Sequence, residues 1–448
     1  MKPYPKYKES GVEWLGEIPE EWEYSRVKHL SYFSGGKFID GDWIETPLIT
    51  DYGVRLIQCG NIGTGVFEEQ GFRYISEESF LKLKCTEVLP NDILICRLQS
   101  SKNILAGRAC LAPSLNYRMI TSVDNCILRP KPTIVPQYII YLINTEAYLN
   151  FVESISRGGT RDRISRSMLG QFVLYVPPLA EQKAIATFLD RETQKIDTLI
   201  AKQEQLITLL EEKRQALISH AVTKGLDPNA KMKDSGVEWL GEIPEGWDKS
   251  ALKNFAKIIC GYAFNSEDFI DSGIPVIRIS NIDFDGGITL DNIKCIEEKH
   301  FIKYSNYTVS YGDIVMAMTG GTIGKTSIYN LGNQSLLNQR VCRFVNKSKL
   351  NKSFLYFNLI SYFYQEQIKL NSVGGAQPNI SDIQLVNIAI ACPPLKEQNV
   401  IAGYLLKQNN KVDILKEKAQ SVIDLLKEKR SALISSAVTG KIDVREAV

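Results

Sequence analysis

The eleven residues SGVEWLGEIPE occur twice, at Ser10–Glu20 and at Ser235–Glu245, and a tryptophan follows each copy (Trp22 and Trp247). Chance does not supply an identical eleven-mer 225 positions apart, so the chain is an internal duplication. Two further blocks match at an offset of 216: PPLAEQKAIATFLD (Pro177–Asp190) with PPLKEQNVIAGYLL (Pro393–Leu406), and LLEEKRQALISHAVTKG (Leu209–Gly225) with LLKEKRSALISSAVTGK (Leu425–Lys441). Between the matched blocks the halves are unlike, and the first interior is 9 residues longer. Alike edges around unlike interiors imply one scaffold carrying two variable modules.

The blocks after each Pro-Pro pair predict long helices. Ile185, Leu189, Ile196, Leu199, Leu206, Leu210 and Leu217 recur as a heptad seam, and their counterparts are Ile401, Leu405, Val412, Leu415, Val422, Leu426 and Leu433. Pro178 and Pro394 mark the entries, Glu181 and Glu397 lie in the first turns, and Gly225 and Gly440 mark the exits. About 45 residues at ~1.5 Å each gives a rod of roughly 65 Å. Two matching seams in one chain are expected to pack antiparallel. The segments 23–176 and 248–392 alternate short β-like runs (NDILICRL, QFVLYV, PVIRIS, GDIVMAM) with turn clusters, which predicts an α+β domain in each half. The expected order is a domain at 1–176, a helix at 177–226, a second domain with a connecting arm at 227–392, and a second helix at 393–448. In the repeated phrase Val12, Trp14, Leu15, Ile18 and Trp22 are expected to pack each domain to its rod.

Fifty-three basic residues stand against 51 acidic ones, so a partner of strong charge would have to be met by localised side chains. MKPYPKYKES is polar with no apolar run behind it, and no run approaches the ~18 residues of a membrane helix. A cytoplasmic protein without a membrane partner is expected. The nine cysteines form no C-x-x-C, and Cys96, Cys110 and Cys342 in apolar surroundings read as reduced, buried thiols. His29, His220 and His300 lie far apart and near no cysteine cluster, so no metal site is expected.

Catalytic motifs are imitated but incomplete. TGGTIGKT (Thr319–Thr326) has threonine where a phosphate loop needs its first glycine, and it reads as a Gly-rich turn near a ligand surface. NIDFDGG (Asn281–Gly287) would need an acid where Asn292 stands to bind calcium, and reads as a hairpin turn. Glu297-x-Lys299 resembles one piece of a nuclease site, but no Pro-Asp precedes it and Glu78 takes the place of Lys299 in the first half; an acidic first helical turn fits better. There is no nucleophile elbow, no Cys–His signature and no Gly-rich cofactor loop after a strand. The Pro-Pro pairs read VPPL and CPPL, without the acid or amide and the aromatic of an adenine methyltransferase. No catalysis and no cofactor are therefore expected of this chain.

Polar side chains concentrate in two pairs of equivalent loops. RGGTRDRISRS (Arg157–Ser167) and VGGAQPNISDI (Val373–Ile383) both precede the Pro-Pro strand. The first offers Arg157, Arg161 and Arg163 after or around Gly158 and Gly159; the second offers Gln377 and Asn379 after Gly374 and Gly375. Arginine's fork matches the O6/N7 edge of guanine, and Gln or Asn matches the N6/N7 edge of adenine. Glycine lets backbone amides approach phosphates. The second pair places Arg97, Gln99, Lys102 and Asn103 after one strand and Thr319, Thr322 and Lys325 after its counterpart. Unlike polar side chains on like loops suit two domains reading two different DNA sequences.

With YKESGVEWLGEIPEEW and KDSGVEWLGEIPEGW, PPLAEQ and PPLKEQ, the two LISxAVT helix ends, and the loops GGTRDRIS and GGAQPNIS, nearly the whole chain resembles the specificity subunit of type I restriction-modification systems. The resemblance implies two target-recognition domains joined by two long antiparallel coiled-coil helices in a pseudo-two-fold repeat. Each domain would read one half of a split, asymmetric double-stranded DNA target. The helices would fix the half-site spacing and dock two modification subunits, which bring S-adenosylmethionine and methylate adenine N6. Restriction subunits would add ATP- and Mg-dependent translocation and cleavage. One departure stands out: GGAQPN has no arginine where the first half has Arg161 and Arg163. The rival readings are a self-contained DNA methyltransferase or nuclease, which needs an intact motif, and a coiled-coil interaction protein without DNA binding.

Overall fold

Each copy of the repeated phrase folds into the same hairpin in the computed structural model, which describes residues 2–12, 15–31, 38–71, 73–99, 105–157, 162–283, 287–375 and 377–447. Strand Tyr7–Glu9 pairs antiparallel with Glu17–Pro19, and Met232–Asp234 pairs with Glu242–Pro244. The connecting turns need left-handed backbone at Gly11 and Gly16 (φ 66° and 65°) and at Gly236 and Gly241 (63° and 61°), a region that any side chain would strain. Leu15, Ile18 and Trp22 are buried, as are Leu240, Ile243 and Trp247. Val12 is half-buried, and Trp14 lies outside the described residues.

The two long helices run Leu179–Lys224, 46 residues, and Leu395–Val438, 44 residues. Left-handed Gly225 and Gly440 follow their ends (φ 79° and 75°). At each start the glutamine of PPLxEQ is buried with its amide fully used. Gln182 Oε1 accepts from the Val135 N–H at 2.8 Å, and Nε2 donates to the carbonyls of Thr133 (3.1 Å) and Pro177 (2.9 Å). Gln398 repeats the arrangement with Asn351 (2.7 Å), Lys349 (3.0 Å) and Pro393 (2.8 Å). These three partners of one are the partners of the other displaced by 216, and Gln398 adds a contact to Cys392 Sγ (3.5 Å) where the first half has Val176.

The chain divides into two compact units, Met1–Gln203 with Ser421–Val448, and Glu204–Gln420, so each unit holds part of both helices. In the first, Arg430 Nε donates to Asp197 Oδ1 at 2.8 Å. In the second, Arg214 pairs with Asp413 and Lys416 with Glu211. The residue numbers in all three pairs add to the same total, which is the register of antiparallel neighbours. Asp197 and Asp413 are counterparts, as are Arg214 and Arg430, so the first two pairs are one interaction made twice. The third has no twin, because Ile200 and Lys427 occupy the equivalent places.

The seam differs from expectation in its middle. Ile185, Leu189, Ile196, Leu210, Ile401, Leu405 and Val412 are buried, and Leu217, Leu426 and Leu433 are half-buried. Leu199, Leu206, Leu415 and Val422 are instead exposed, at 46%, 42%, 47% and 40%. The inward positions there include Ile200, Gln203, Ile207 and Arg214 on one helix and Lys416, Ala419 and Ile423 on the other, all buried or half-buried. Polar and small residues occupy part of the true seam, so a search for leucine finds the neighbouring face.

Each unit carries two four-stranded sheets and the same short ribbon. In the first the strand orders are 119–121, 54–57, 74–75, 49–50 and 38–40, 125–128, 93–96, 109–111. In the second they are 294–296, 274–277, 335–337, 308–309 and 256–260, 341–346, 314–317, 326–328. Ribbons Glu23–Arg26 with Val173–Val176, and Asp248–Ala251 with Ala389–Cys392, close each domain beside its Pro-Pro pair. The core of each unit runs from these strands into the adjoining helix ends, including Trp22 and Ile185 in one and Trp247 and Ile401 in the other.

The two tryptophans are alike in burial and unlike in bonding. Trp22 Nε1 donates to Glu181 Oε1 at 2.9 Å, which also accepts from the Tyr4 hydroxyl at 2.6 Å. The Trp247 Nε1 is buried and has no hydrogen-bond partner among the described residues. Replacing each by phenylalanine removes similar apolar area, but only Trp22→Phe takes a donor from a buried carboxylate. Trp22→Phe should cost about 1–2 kcal/mol more than Trp247→Phe, from the worth of a hydrogen bond to a charged group. Hydrogen exchange of the Tyr7–Glu9 and Met232–Asp234 strands measures the two losses separately; equal losses would contradict the assignment.

Candidate nucleic-acid interface

The two candidate loops of each half converge on one another. In the first unit Leu98 and Arg163 form a β-bridge, as do Arg157 and Arg163. The Gln99 N–H donates to the Asp162 carbonyl (2.9 Å), and the Ile164 N–H to the Arg97 carbonyl (3.0 Å). In the second unit Thr319 and Asn379 bridge, as do Val373 and Asn379. The Gly320 N–H donates to Pro378 (2.8 Å), and the Ile380 N–H to Met318 (3.1 Å). The backbone pattern is the same in both, bond for bond, although scarcely a side chain is shared.

The side chains sort by what holds them. Arg157 and Arg163 are exposed, with Arg163 in an ion pair to Asp124 at 2.9 Å. Gln99 is half-buried at the bridge. Arg97 is only 7% exposed, paired to Asp40 at 3.3 Å and bonded to the Val123 carbonyl. Asp40 also holds Arg166, at 3.1 Å. Arg97 therefore braces the loop from within rather than facing outward. The cationic character counted along the loop is correspondingly reduced, since Asp40 arrives from a strand and Asp124 from a turn elsewhere in the unit. Lys102, Asn103, Gly158, Gly159 and Arg161 lie outside the described residues.

In the second unit Thr319, Gln377 and Asn379 line a cleft of about 380 Å³ together with Gln339 and Arg340. Thr319 Oγ1 donates to Asn379 Oδ1 at 2.8 Å, which fixes the amide. Thr322 turns back on the Thr319 carbonyl (3.3 Å). Lys325 is half-buried, and its Nζ donates to the Ile282 carbonyl at 3.4 Å. Its counterpart Arg108 is fully buried and makes the equivalent bond to Ile62 at 2.7 Å, so both cations tie down a neighbouring turn. TGGTIGKT connects two antiparallel strands, Ile314–Ala317 and Thr326–Ile328, and no α-helix follows to cradle a phosphate. The NIDFDGG segment is closed by an Ile282–Ile288 bridge, a hairpin, with residues 284–286 outside the described set.

Glu78 lies in the first turn of a helix, Glu77–Leu83, while Glu297 precedes a short 3-10 turn and pairs with Lys299. All nine cysteines are free thiols; burial pushes Cys110 up to about 12 and Cys342 well above its ordinary value. Among the described residues no helix is long and apolar enough to cross a membrane.

Sequence reading missed one element of the site. A short turn faces each loop pair, Ser122-Val123-Asp124 in one unit and Asn338-Gln339-Arg340 in the other. The sequence signal is slight, since at the 216 offset only Cys126 and Cys342 are identical across this turn and its flanking strands, and it is the strand pairing that makes the two turns equivalent.

Paired loop sites of common backbone and divergent side chains define a two-headed recognition protein. The family model described as type I restriction modification DNA specificity domain matches residues 19–209 and 244–423, and the chain belongs to that family. The family consists of recognition subunits, not enzymes, that work with DNA and with methyltransferase and restriction subunits. The chain is 27% identical over 437 residues to the type I restriction enzyme MjaVIII specificity subunit of Methanocaldococcus jannaschii, covering 96% of this chain and 94% of that one. A structure titled for complex assembly and conformational transition of the type I R-M system matches 95% of this chain and 99% of its own, with TM-score 0.70 and 16% identity. The HsdS subunit from Thermoanaerobacter tengcongensis matches 95% of this chain and 98% of its own, with TM-score 0.52 and 16% identity. At those identities the structures speak to the fold.

Gly374 and Gly375 separate backbone strain from open space within one loop. Gly374 has φ 111°, and a Cβ there would stand 2.9 Å from the Gln377 carbonyl oxygen, whereas among the described residues nothing lies within 4 Å of one at Gly375. Gly374→Ala should destabilise the loop by about 1–3 kcal/mol, and Gly375→Ala by less than about 0.5 kcal/mol. Limited proteolysis within 371–381 should rise for the first variant alone.

Proposed function

We propose that this chain is the DNA-reading subunit of a type I restriction-modification complex, with each unit reading one half of a split target. The observation that carries the reading is the matched pair of loop sites: the same backbone hydrogen bonding frames Arg157, Gln99 and Arg163 in one unit and Thr319 and Asn379 in the other, where Gln377 lines the same cleft. A shared frame with exchanged side chains is what two readers of different sequences require. Arg97 and Lys325 act from behind as braces, and Thr322 shapes its turn. The amides of Gly374 and Gly375 are offered as phosphate or base contacts on the same surface, and Lys102, Asn103, Arg161, Gly158 and Gly159 are offered as further contacts from the sequence alone.

The working boundaries are target-recognition domains at 1–176 and 227–392 and helices at 177–226 and 393–448. The helices receive two modification subunits, which supply S-adenosylmethionine and the methyl transfer; restriction subunits supply ATP- and Mg-dependent cleavage. The complex works in the cytoplasm, away from membranes.

Selection of bound duplexes from a random pool tests the division of labour. Wild-type chain with its modification subunits should yield a split target. Arg163→Ala should relax one position of one half-site by about 1–3 kcal/mol if it contacts a base, and leave the other half-site untouched. Loss of preference in both halves together, or in neither, would contradict separate readers.

A further inference from the structure

The turn that faces the loops carries opposite charge in the two units. Asp124 and Arg340 are counterparts at offset 216, and the backbone confirms the match: the Arg97 N–H donates to the Asp124 carbonyl and the Met318 N–H to the Arg340 carbonyl, both at 2.9 Å. In the first unit the guanidinium stands on the loop, at Arg163, and the turn supplies the carboxylate that holds it. In the second unit the loop position is Asn379, and the guanidinium stands on the turn. The arginine missing from GGAQPN is thus present in the same cleft from another part of the chain.

Arg340 is exposed, and among the described residues its guanidinium makes no ion pair. The cleft it shares holds three carboxamides, Gln339, Gln377 and Asn379, and the Thr319 hydroxyl, and among the described residues no carboxylate lines it. An arginine kept for structure is ordinarily anchored, as Arg97 is on Asp40 and Arg108 is on four carbonyls. A fork displayed among neutral donors and acceptors suits a neutral, acceptor-rich partner. The O6/N7 edge of guanine in the major groove offers two acceptors in one plane, matched to that fork. A phosphate also accepts that fork, but it would have no use for the flanking amides of Gln339 and Gln377, which match base edges.

We infer that Arg340 is the guanine-reading residue of the second unit, the functional counterpart of Arg163 delivered from the turn instead of the loop. The inference rests on the DNA-reading proposal above and names a specificity-determining residue within it. Asn379, braced by Thr319, keeps the floor of the cleft, and Gln377 reads a base beside that guanine.

Selection of bound duplexes with Arg340→Ala and Arg340→Gln, both assembled with the modification subunits, tests it. The wild-type selection comes first: if it shows no split target, the DNA-reading proposal itself fails. Given a split target, both variants should lose discrimination at one guanine of the second half-site by roughly 5- to 150-fold, the range of a bidentate contact. The first half-site and the salt dependence should stay as in wild type. A uniform loss of affinity across all sequences, with the salt slope reduced by about one, would mark a phosphate contact and overturn the inference. Unchanged selection in both variants would overturn it also. As an exposed turn residue Arg340 should be replaceable without unfolding, and an unshifted melting temperature verifies that.

Discussion

A buried side-chain amide, present twice, anchors the rest of this structure. Gln182 and Gln398 each satisfy one N–H and two carbonyls that the entry to a long helix would otherwise leave buried and unpaired. Neither glutamate nor leucine could replace them without orphaning at least one of those groups, at a cost of about 1–3 kcal/mol each. Because the amide reaches from the helix to the segment before a domain helix, it fixes where each recognition domain sits on its own rod. The repeated hairpin and its tryptophan pack against the neighbouring helix ends, where a Cβ at left-handed Gly440 would clash with Pro19 (2.2 Å) and one at left-handed Gly225 would crowd Trp247 (3.2 Å).

With the frame fixed by backbone bonds and buried amides, the site side chains are free to differ. The loop bridges of both units are made by N–H and C=O groups alone, so Arg163 and Asn379 can occupy one position without disturbing it. Where charge is needed for bracing it is supplied from within, by Asp40 on Arg97 and Arg166 and by Arg108 on neighbouring carbonyls. The helices show the same separation. The Asp197–Arg430 and Arg214–Asp413 pairs keep the pseudo-two-fold register, while Lys416–Glu211 occurs on one side only.

Much of this was legible in the sequence, for a physical reason. Duplication makes every constraint visible twice, and residues held by left-handed backbone or full burial, such as Gly16, Trp22 and Gln182, cannot drift. The long helices and the α+β interiors followed from periodicity and turn residues. The seam was misplaced by one position through its middle, because Gln203, Arg214 and Lys416 face inward there and hydrophobicity does not mark them. In the sites, spacing located both loops but could not distinguish Arg97, held under the surface by Asp40, from Arg163, which reaches out. Nor could it show that Arg340, some 40 residues from the GGAQPN loop, shares its cleft, since only the sheet brings them together.

The central claim is that one frame carries two interchangeable readers. Its joints are equivalent: the Val27 N–H bonds to the Phe172 carbonyl and the Leu252 N–H to the Ile388 carbonyl, both at 3.0 Å. Replacing residues 27–172 by a second copy of 252–388 therefore joins matched backbone at both ends. Selection of bound duplexes by that chain, assembled with its modification subunits, is the direct measurement. The account predicts a target containing the second half-site twice and the first not at all. A grafted chain that folds and still selects the original first half-site would contradict it.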